Sequence, residues 1–183
     1  MDVVWVFLPL LGAALAHAPV LRFNLLRALA RPIDGGAMFR GRRIFGDNKT
    51  WRGAVVMTGG VVALACVLAQ FPGYWRRLPP NIQHVGPLVF GLLLGLGAVV
   101  GELPNSFLKR QLDIGPGSQR RSILGAVFVV FDQGDFVLGA WLLLAPVWVM
   151  PVPEGVVAFA VVVAVHMLVN VIGYTIGARK TLL

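Results

Sequence analysis

The sequence predicts an all-α integral membrane protein with about five transmembrane helices. Hydrophobic residues make up 57% of the 183 residues and charged residues only 13%, whereas a soluble domain has roughly a quarter charged residues. Apolar stretches long enough to cross a hydrocarbon core of about 30 Å recur along the chain. The basic residues flank these stretches. The formal net charge of +8 therefore indicates contact with anionic lipid head groups or a polyphosphate substrate, and not with nucleic acid.

The predicted spans follow one another with short connections, so we expect a single domain over residues 1–183. They cover residues 3–21, 54–71, 85–103, 136–152 and 156–176. The lone cysteine, Cys66, lies inside the second span, which excludes a disulfide framework. A signal-peptidase-like Ala-His-Ala at 16–18 follows a leader with no basic residue, so we expect the first span to be retained.

The basic residues predict the orientation of the chain. All of them except Arg76 and Arg77 fall on one side of the membrane, in the connections at about 22–52 and 104–124 and in the tail after the fifth span. The positive-inside rule makes that side cytoplasmic. We therefore expect the N-terminus outside and the C-terminus inside, in a multi-pass protein of the cell (inner) membrane.

The fourth segment is irregular. Residues 123–152 form an apolar stretch that would be about 45 Å long as one straight helix, longer than the hydrocarbon core. Asp132, Gln133 and Asp135 interrupt it. We therefore expect residues 123–131 to lie at the interface or re-enter it, and the true span to start near Asp135.

A glycine-rich basic loop over residues 32–53 is the first candidate site. Its glycines allow close backbone approach, and Arg42, Arg43, Lys49 and Arg52 supply cationic donors suited to phosphate oxygens. The nucleotide-binding pattern G-x-x-x-x-G-K-[ST] is excluded, because two residues separate the second glycine from the lysine and no strand is predicted before the loop. A phosphate site and a basic loop that holds lipid head groups both remain open.

Carboxylates supply the second and third candidates. Glu102 ends the third span and precedes Ser106, Lys109 and Arg110, which could also be plain interfacial anchors.

Asp132 and Asp135 are three residues apart and share one helical face. They would repel each other unless water or a cation joined them, and their oxygens suit Mg²⁺, which binds one or two carboxylates plus substrate phosphates. The alternative is a solvated turn.

The predicted orientation places all three candidates at one face of the membrane. One carries cations for phosphate, and the other two carry carboxylates for a metal. Phosphoryl chemistry on a lipid substrate requires this combination.

The residues of these segments resemble those of CDP-archaeol synthases. The string FGDNKTWRG at 45–53 is similar to the first cytoplasmic loop of that family, and SFLKR at 106–110 and DQGDF at 132–136 are similar to its second cytoplasmic segment. The order, the spacing and the five-span layout match over nearly the whole chain. One departure is Glu102, where the family pattern has aspartate after glycine.

The resemblance implies that a lipid phosphate attacks the α-phosphorus of CTP and displaces pyrophosphate, with Mg²⁺. It implies catalytic roles for Lys49, Lys109, Asp132 and Asp135, and a metal held by Asp132, Asp135 and Glu102. The residues that it implies for CTP or phosphate binding are Gly46, Asp47, Asn48, Lys49, Thr50, Arg52, Ser106 and Arg110. The alanine- and arginine-rich composition is like that of many bacterial proteins, so we expect a bacterial-type member, whose lipid is archaeol-type or another glycerolipid phosphate.

Two other functions are possible alternatives. A CDP-alcohol phosphotransferase requires a D-G-x-x-A-R helix, which Asp34-Gly35-Gly36 begins but the following residues do not continue. A non-enzymatic transporter or lipid-binding protein predicts polar residues near the bilayer midplane, where only His166 and Asn170 are notable.

Overall fold

Helices form nearly all of the regular structure. The computed structural model describes residues 3–115 and 123–175. The helices are α1 (Val3–Phe7), α2 (Leu11–Arg22), α3 (Trp51–Leu68), α4 (Pro72–Trp75), α5 (Pro80–Gln111), α6 (Ile123–Leu144) and α7 (Val152–Thr175). Turns of 3₁₀ helix lie at Leu8–Leu10 and Arg27–Leu29, and one antiparallel hairpin pairs β1 (Met38–Phe39) with β2 (Arg42–Arg43).

Four helical segments of the described chain are long and apolar enough to cross a membrane. They are Val3–Arg22, Trp51–Leu68, Pro80–Gln111 and Val152–Thr175. The remaining long helix, α6, contains a shorter apolar part at Gly134–Leu144. The mostly helical architecture predicted from the sequence is confirmed. Of the basic residues that predicted its orientation, those at 120–121 and 179–180 lie outside the described residues.

Helix α5 is longer than its apolar stretch. It bends at Gly86, whose φ of 79° and ψ of 165° are not helical, and then continues past Leu103 to Gln111. The connection expected from residue 104 is therefore helical as far as Gln111. These residues stay helical because part of their polar surface is covered: Asn105 and Ser106 are buried.

The predicted break in the fourth segment is wrong. Helix α6 runs without interruption from Ile123 to Leu144, so Asp132 and Asp135 lie within it. Their carboxylates do not break the helix because both accept hydrogen bonds from α5. The predicted span at 136–152 is also wrong at its end, because the helix stops at Leu144. A turn follows, in which the N–H groups of Val147 and Trp148 donate to the carbonyl oxygen of Leu144.

Small residues let α5 approach its neighbours closely. Helix α5 packs against α3 on one side and against α6 on the other. A Cβ on Gly95 would stand 2.9 Å from the Cα of Thr58 in α3, and a Cβ on Gly97 would stand 2.6 Å from the Cα of Ala140 in α6. Such positions allow backbone contact between membrane helices. Gly101 meets the backbone oxygen of Asp135 in the same way, so the polar end of α5 lies directly on the carboxylates of α6.

Candidate active site

A cluster of charged and amide side chains forms where the loop before α3 meets the C-terminal part of α5 and the middle of α6. The loop supplies Lys49. The members from α5 and α6 are Glu102, Asn105, Lys109, Asp132 and Asp135. We call these six residues the carboxylate cluster. The structure thus brings together the lysines and carboxylates that the sequence analysis singled out from three separate segments.

Two ion pairs cross the cluster. Lys49 Nζ donates to Glu102 Oε2 and joins the loop to α5, and Lys109 Nζ donates to Asp132 Oδ2 and joins α5 to α6. The lysine side chains are only 20% and 14% exposed, so solvent screens these pairs less than surface pairs. Lys109 also lies 5.7 Å from the ring centroid of Phe128. Each lysine therefore balances the charge of one carboxylate.

Asn105 joins the two aspartates. Its buried side chain donates from Nδ2 to Asp132 Oδ1 at 2.6 Å and to Asp135 Oδ2 at 3.3 Å. The other oxygen of Asp135, Oδ1, is buried and has no hydrogen-bond partner within the described residues. Asn105 was not among the site residues predicted from the sequence. Its spacing, three residues after Glu102 and four before Lys109, places it on their helical face, and this signal was available.

The cluster fits Mg²⁺ only in part. Within residues 3–115 and 123–175, no three His, Cys, Asp or Glu side chains lie close enough together to hold a metal ion. The predicted ligands Glu102, Asp132 and Asp135 are thus not assembled as a three-ligand site. The unpartnered oxygen of Asp135 beside Asp132 does suit a cation that is held by one or two carboxylates and completed by substrate oxygens.

Asp34 organises the glycine-rich loop. Its side chain, 1% exposed, accepts hydrogen bonds from the N–H groups of Gly36, Phe45 and Gly46 at 3.0, 2.9 and 3.2 Å, and from Arg43 at 2.8 Å. Burial alone would raise the pKa of Asp34, but these hydrogen bonds outweigh it and lower the pKa from 3.8 to about 2. This role of Asp34 is not visible in the sequence, because its backbone partners are set by the fold.

The hairpin attaches the loop to the end of α5. The ring centroids of Phe39 and Phe107 lie 5.7 Å apart. Arg42 donates to the carbonyl oxygen of Gln111 and, at 2.6 Å, to the carboxylate of Asp113. Arg42, a predicted phosphate donor, is thereby engaged in fixing the hairpin to α5.

Two residues predicted to bind CTP shape the start of α3. Thr50 caps the helix, since its Oγ1 accepts a hydrogen bond from the Gly53 N–H at 3.2 Å. Arg52 donates to Asn24 Oδ1 at 3.0 Å and to the carbonyl oxygen of Leu25 at 3.3 Å. Both residues hold the loop in place from its two ends.

The other predicted binding residues take different positions. Gly46 has a φ of 89° and faces Arg110. A Cβ added to Gly46 would lie 3.4 Å from Arg110 Nη1 and 3.4 Å from Asn48 Oδ1. Asp47 is largely exposed and pairs with Arg43 at 2.6 Å. Ser106 is buried in α5. The structure therefore brings Gly46, Asn48 and Arg110 together and leaves Asp47 at the surface.

Helix α2 adds His17, which the sequence alone does not connect to the site. His17 Nε2 would lie 4.0 Å from a Cβ on Gly53, and the imidazole interacts electrostatically with Glu102, Arg52 and Lys49. Nothing beside His17 in the sequence indicates this neighbourhood, because its neighbours come from α3, α5 and the loop.

Comparisons with known proteins agree along the whole chain. Residues 1–182 match the CarS-like family, described as CDP-archaeol synthase. The CDP-archaeol synthase of Halobacterium salinarum is 39% identical over 183 residues, covering 96% of this chain and 92% of its own. That of Methanosarcina mazei is 35% identical, covering 82% and 89%, and that of Pyrococcus abyssi is 37% identical, covering 78% of each. These relatives are archaeal, so they lend no support to the expected bacterial-type membership.

A solved structure shares the fold. Described as an intramembrane enzyme for archaeal membrane lipids biosynthesis, it superposes with a TM-score of 0.67 at 27% sequence identity and covers 92% of both chains. The helical arrangement is therefore that of a multi-pass membrane protein.

Proposed function

Because this chain belongs to the CDP-archaeol synthase family, we propose that its carboxylate cluster transfers the cytidylyl group of CTP to archaeol phosphate with the help of Mg²⁺. The chain is an enzyme, a CTP-dependent cytidylyltransferase of membrane lipid biosynthesis. The non-enzymatic transporter considered from the sequence is set aside on the same grounds. The observation that carries the detailed proposal is the meeting of Lys49, Lys109 and three carboxylates at one junction.

The reaction needs no covalent enzyme intermediate. An oxygen of the lipid phosphate attacks the α-phosphorus of CTP, a new P–O bond forms, and the bond from the α-phosphorus to the bridging oxygen breaks. The products are a CDP-lipid and pyrophosphate. The protein then has to position two anions and stabilise the charge that develops between them.

Lys49 and Lys109 are suited to that charge. Both ammonium groups are largely shielded from water and already contact oxygen anions, those of Glu102 and Asp132. Phosphate oxygens would compete for the same donors, because an ammonium group binds both kinds of anion through charge-assisted hydrogen bonds. This geometry supports phosphate-binding roles for the two lysines.

The loop supports a neighbouring phosphate subsite. Gly46 has a positive φ and lies against Arg110, so its lack of a side chain lets the guanidinium of Arg110 lie beside the loop. Phosphate and CTP contacts are proposed for the following residues of the loop and of α5: Gly46, Asp47, Asn48, Thr50, Arg52, Ser106 and Arg110.

Asp132 and Asp135 would hold Mg²⁺, with Glu102 nearby on α5. When bound, the ion would withdraw charge from the phosphate oxygens. The buried, unpartnered Oδ1 of Asp135 supports this assignment, since a buried carboxylate oxygen without a donor is otherwise unfavourable. Within the described residues, no other member of the carboxylate cluster has a buried side-chain oxygen without a hydrogen-bond partner.

The proposed site lies at the cytoplasmic face of the cell membrane, with the N-terminus outside and the C-terminus inside. The basic loop and the Lys109–Arg110 end of α5 support this orientation, because basic residues accumulate in cytoplasmic connections.

The test is a synthesis assay. Purified protein in lipid–detergent micelles is incubated with labelled CTP, Mg²⁺ and either an isoprenoid glycerol phosphate of the archaeol type or phosphatidic acid. We expect pyrophosphate release and a CDP-lipid with the isoprenoid substrate, both blocked by EDTA. A product that forms equally well in EDTA would contradict the metal assignment. A product formed only from phosphatidic acid would contradict the lipid assignment.

A further inference from the structure

We propose that Asn105 is a positioning residue, which fixes Asp132 and Asp135 so that Oδ1 of Asp135 is presented to a divalent cation. The inference rests on the proposed function, since it assumes that the two aspartates hold Mg²⁺. The inference adds to the site an uncharged residue of α5, which contacts the aspartates of α6.

The placement of Asn105 makes the contact possible. Gly101, one turn earlier on α5, meets the backbone oxygen of Asp135, so the two helix backbones are in contact just before Asn105. The asparagine is 8% exposed and Asp135 is 5% exposed. The single Nδ2 group reaches carboxylates one helical turn apart on α6, at 2.6 and 3.3 Å.

The chemistry of the contact fixes the orientation of the amide. Carboxylates only accept hydrogen bonds, whereas the amide has an NH₂ donor and a carbonyl acceptor. If the amide were turned over, its carbonyl oxygen would face two carboxylates with no proton between them. Ionised aspartates therefore favour the observed orientation, in which the NH₂ group of Asn105 faces Asp132 and Asp135.

The neutrality of the amide explains its value to a cation site. Asp132 already has a cationic partner, Lys109, whereas in the described chain Asp135 accepts only from Asn105. A lysine at position 105 would hold both aspartates but would also take the place of a metal ion. An amide holds them without adding charge, and it engages Oδ2 of Asp135 while leaving Oδ1 unpartnered. Residues that orient metal ligands in this way change metal affinity by about 10–100-fold when removed.

The test compares wild-type protein with Asn105→Leu, which keeps much of the side-chain volume and removes the donor. Mn²⁺ binding is followed by electron paramagnetic resonance with a non-hydrolysable CTP analogue present and no lipid substrate. We expect the Mn²⁺ dissociation constant to rise about 10–100-fold. In the synthesis assay, we expect the half-saturating Mg²⁺ concentration to rise while the KM for lipid phosphate is unchanged. A packing defect would not confine its effect to the metal.

Two further variants protect the interpretation. Asn81→Leu, at an exposed position on the same helix, should bind Mn²⁺ like the wild type. Asn105→Ser keeps one donor, so its Mn²⁺ affinity should lie between those of wild type and Asn105→Leu. It replaces the leucine variant in the comparison if that variant does not fold. Unchanged Mn²⁺ affinity in a folded Asn105 variant overturns the inference, as does a wild-type protein that binds no Mn²⁺. A wild-type protein that binds Mn²⁺ but makes no CDP-lipid overturns the proposed function instead, and the comparison of Mn²⁺ affinities still decides the role of Asn105.

Discussion

Lys49 and Asp34 show how differently two charged residues of one loop contribute. Lys49 crosses to Glu102 in the carboxylate cluster, where its charge can act on a substrate. Asp34 turns inward, and among the described residues its side chain accepts hydrogen bonds from the loop itself. Removing the first should impair catalysis without unfolding, whereas removing the second should loosen the loop.

Lys49→Ala should lower kcat of CDP-lipid synthesis by about 10²–10³-fold, the loss typical of removing one donor that stabilises transition-state charge. Removing Lys49 leaves Glu102 without its counter-charge in a partly buried setting and should lower the unfolding temperature. We expect the variant to remain folded at the assay temperature, so the rate can still be measured. Arg76→Ala removes an equally basic but exposed residue, far along the chain from the cluster, and serves as the control. A rate close to that of wild type in Lys49→Ala would contradict the catalytic role of the lysine.

Asp34→Asn should make the loop at 23–50 more sensitive to trypsin. The NH₂ group of the new asparagine faces at least one backbone N–H group, which then has no acceptor. An unsatisfied buried group of this kind costs about 1–3 kcal/mol. The fraction of molecules in which the loop is open to cleavage should therefore increase about tenfold. Asp113→Asn alters an exposed carboxylate that also pairs with an arginine and should have a much smaller effect. Equal cleavage of the two variants would show that Asp34 does not organise the loop.

The pH dependence of the loop follows from the same carboxylate. The pKa of Asp34 is lowered from 3.8 to about 2 in the folded protein, so its stabilising contribution is complete above the unfolded value. It should be lost as the pH falls from about 4 toward 2. An acid-stable protease active across this range would detect the change, with Asp34→Asn showing no such dependence.

At the scale of helices, the close packing of α5 against α6 positions the site. Gly101 and Gly139 let the two backbones touch, and the carboxylates of α6 then lie within reach of Asn105 and Lys109. This packing also explains why Asp132 and Asp135 do not end the helix.

Gly101→Ala should separate these helices. The added Cβ would overlap the backbone oxygen of Asp135, and overpacking of this kind costs about 1–3 kcal/mol. We expect a lower unfolding temperature and a large loss of activity. Gly59→Ala makes the same chemical change in α3, where nothing lies within 4 Å of the new atom, and should retain both. Normal activity in Gly101→Ala would mean that helix spacing does not set the geometry of the cluster.

The sequence predicted the spans better than it predicted their ends. Hydropathy locates apolar segments, so α3 and α7 lie close to the predicted spans. It fails where polar residues are helical because another helix covers them, as at 104–111 and around Asp132. Among site residues, charge and motif indicated Lys49, Glu102, Lys109 and the two aspartates. Asn105 shares a helical face with Glu102 and Lys109, but it has no charge to mark it as a site residue, and its partners on α6 lie close only in the folded chain.

For the whole molecule, a single family match covers residues 1–182, and the described helices resemble a solved intramembrane enzyme over 92% of both chains. The loop before α3 and the hairpin on it attach to the end of α5. The loop and the polar ends of the helices therefore lie at the same side of the bundle.

Cysteine labelling tests which side that is. With Cys66 replaced by alanine, Met38→Cys in the exposed hairpin should react with a membrane-impermeant maleimide only after cells are permeabilised. Gly73→Cys in α4, also exposed, should react in intact cells. The reverse pattern would place the hairpin outside and contradict the proposed orientation.

The two lysine–carboxylate pairs have a consequence for the way in which substrates bind. A phosphate that draws Lys49 or Lys109 away leaves Glu102 or Asp132 without its counter-charge in a partly buried setting, and a divalent cation that arrives alone must displace an ammonium group. A phosphate that binds the lysines frees the carboxylates for the cation, and a cation on the carboxylates frees the lysines for the phosphate. The affinities of the two ligands should therefore be thermodynamically linked. Isothermal titration should show Mg²⁺ tightening CTP binding and CTP tightening Mg²⁺ binding by the same factor, as linkage requires. In Lys49→Ala, where one of the displaced pairs no longer exists, that shared factor should become smaller.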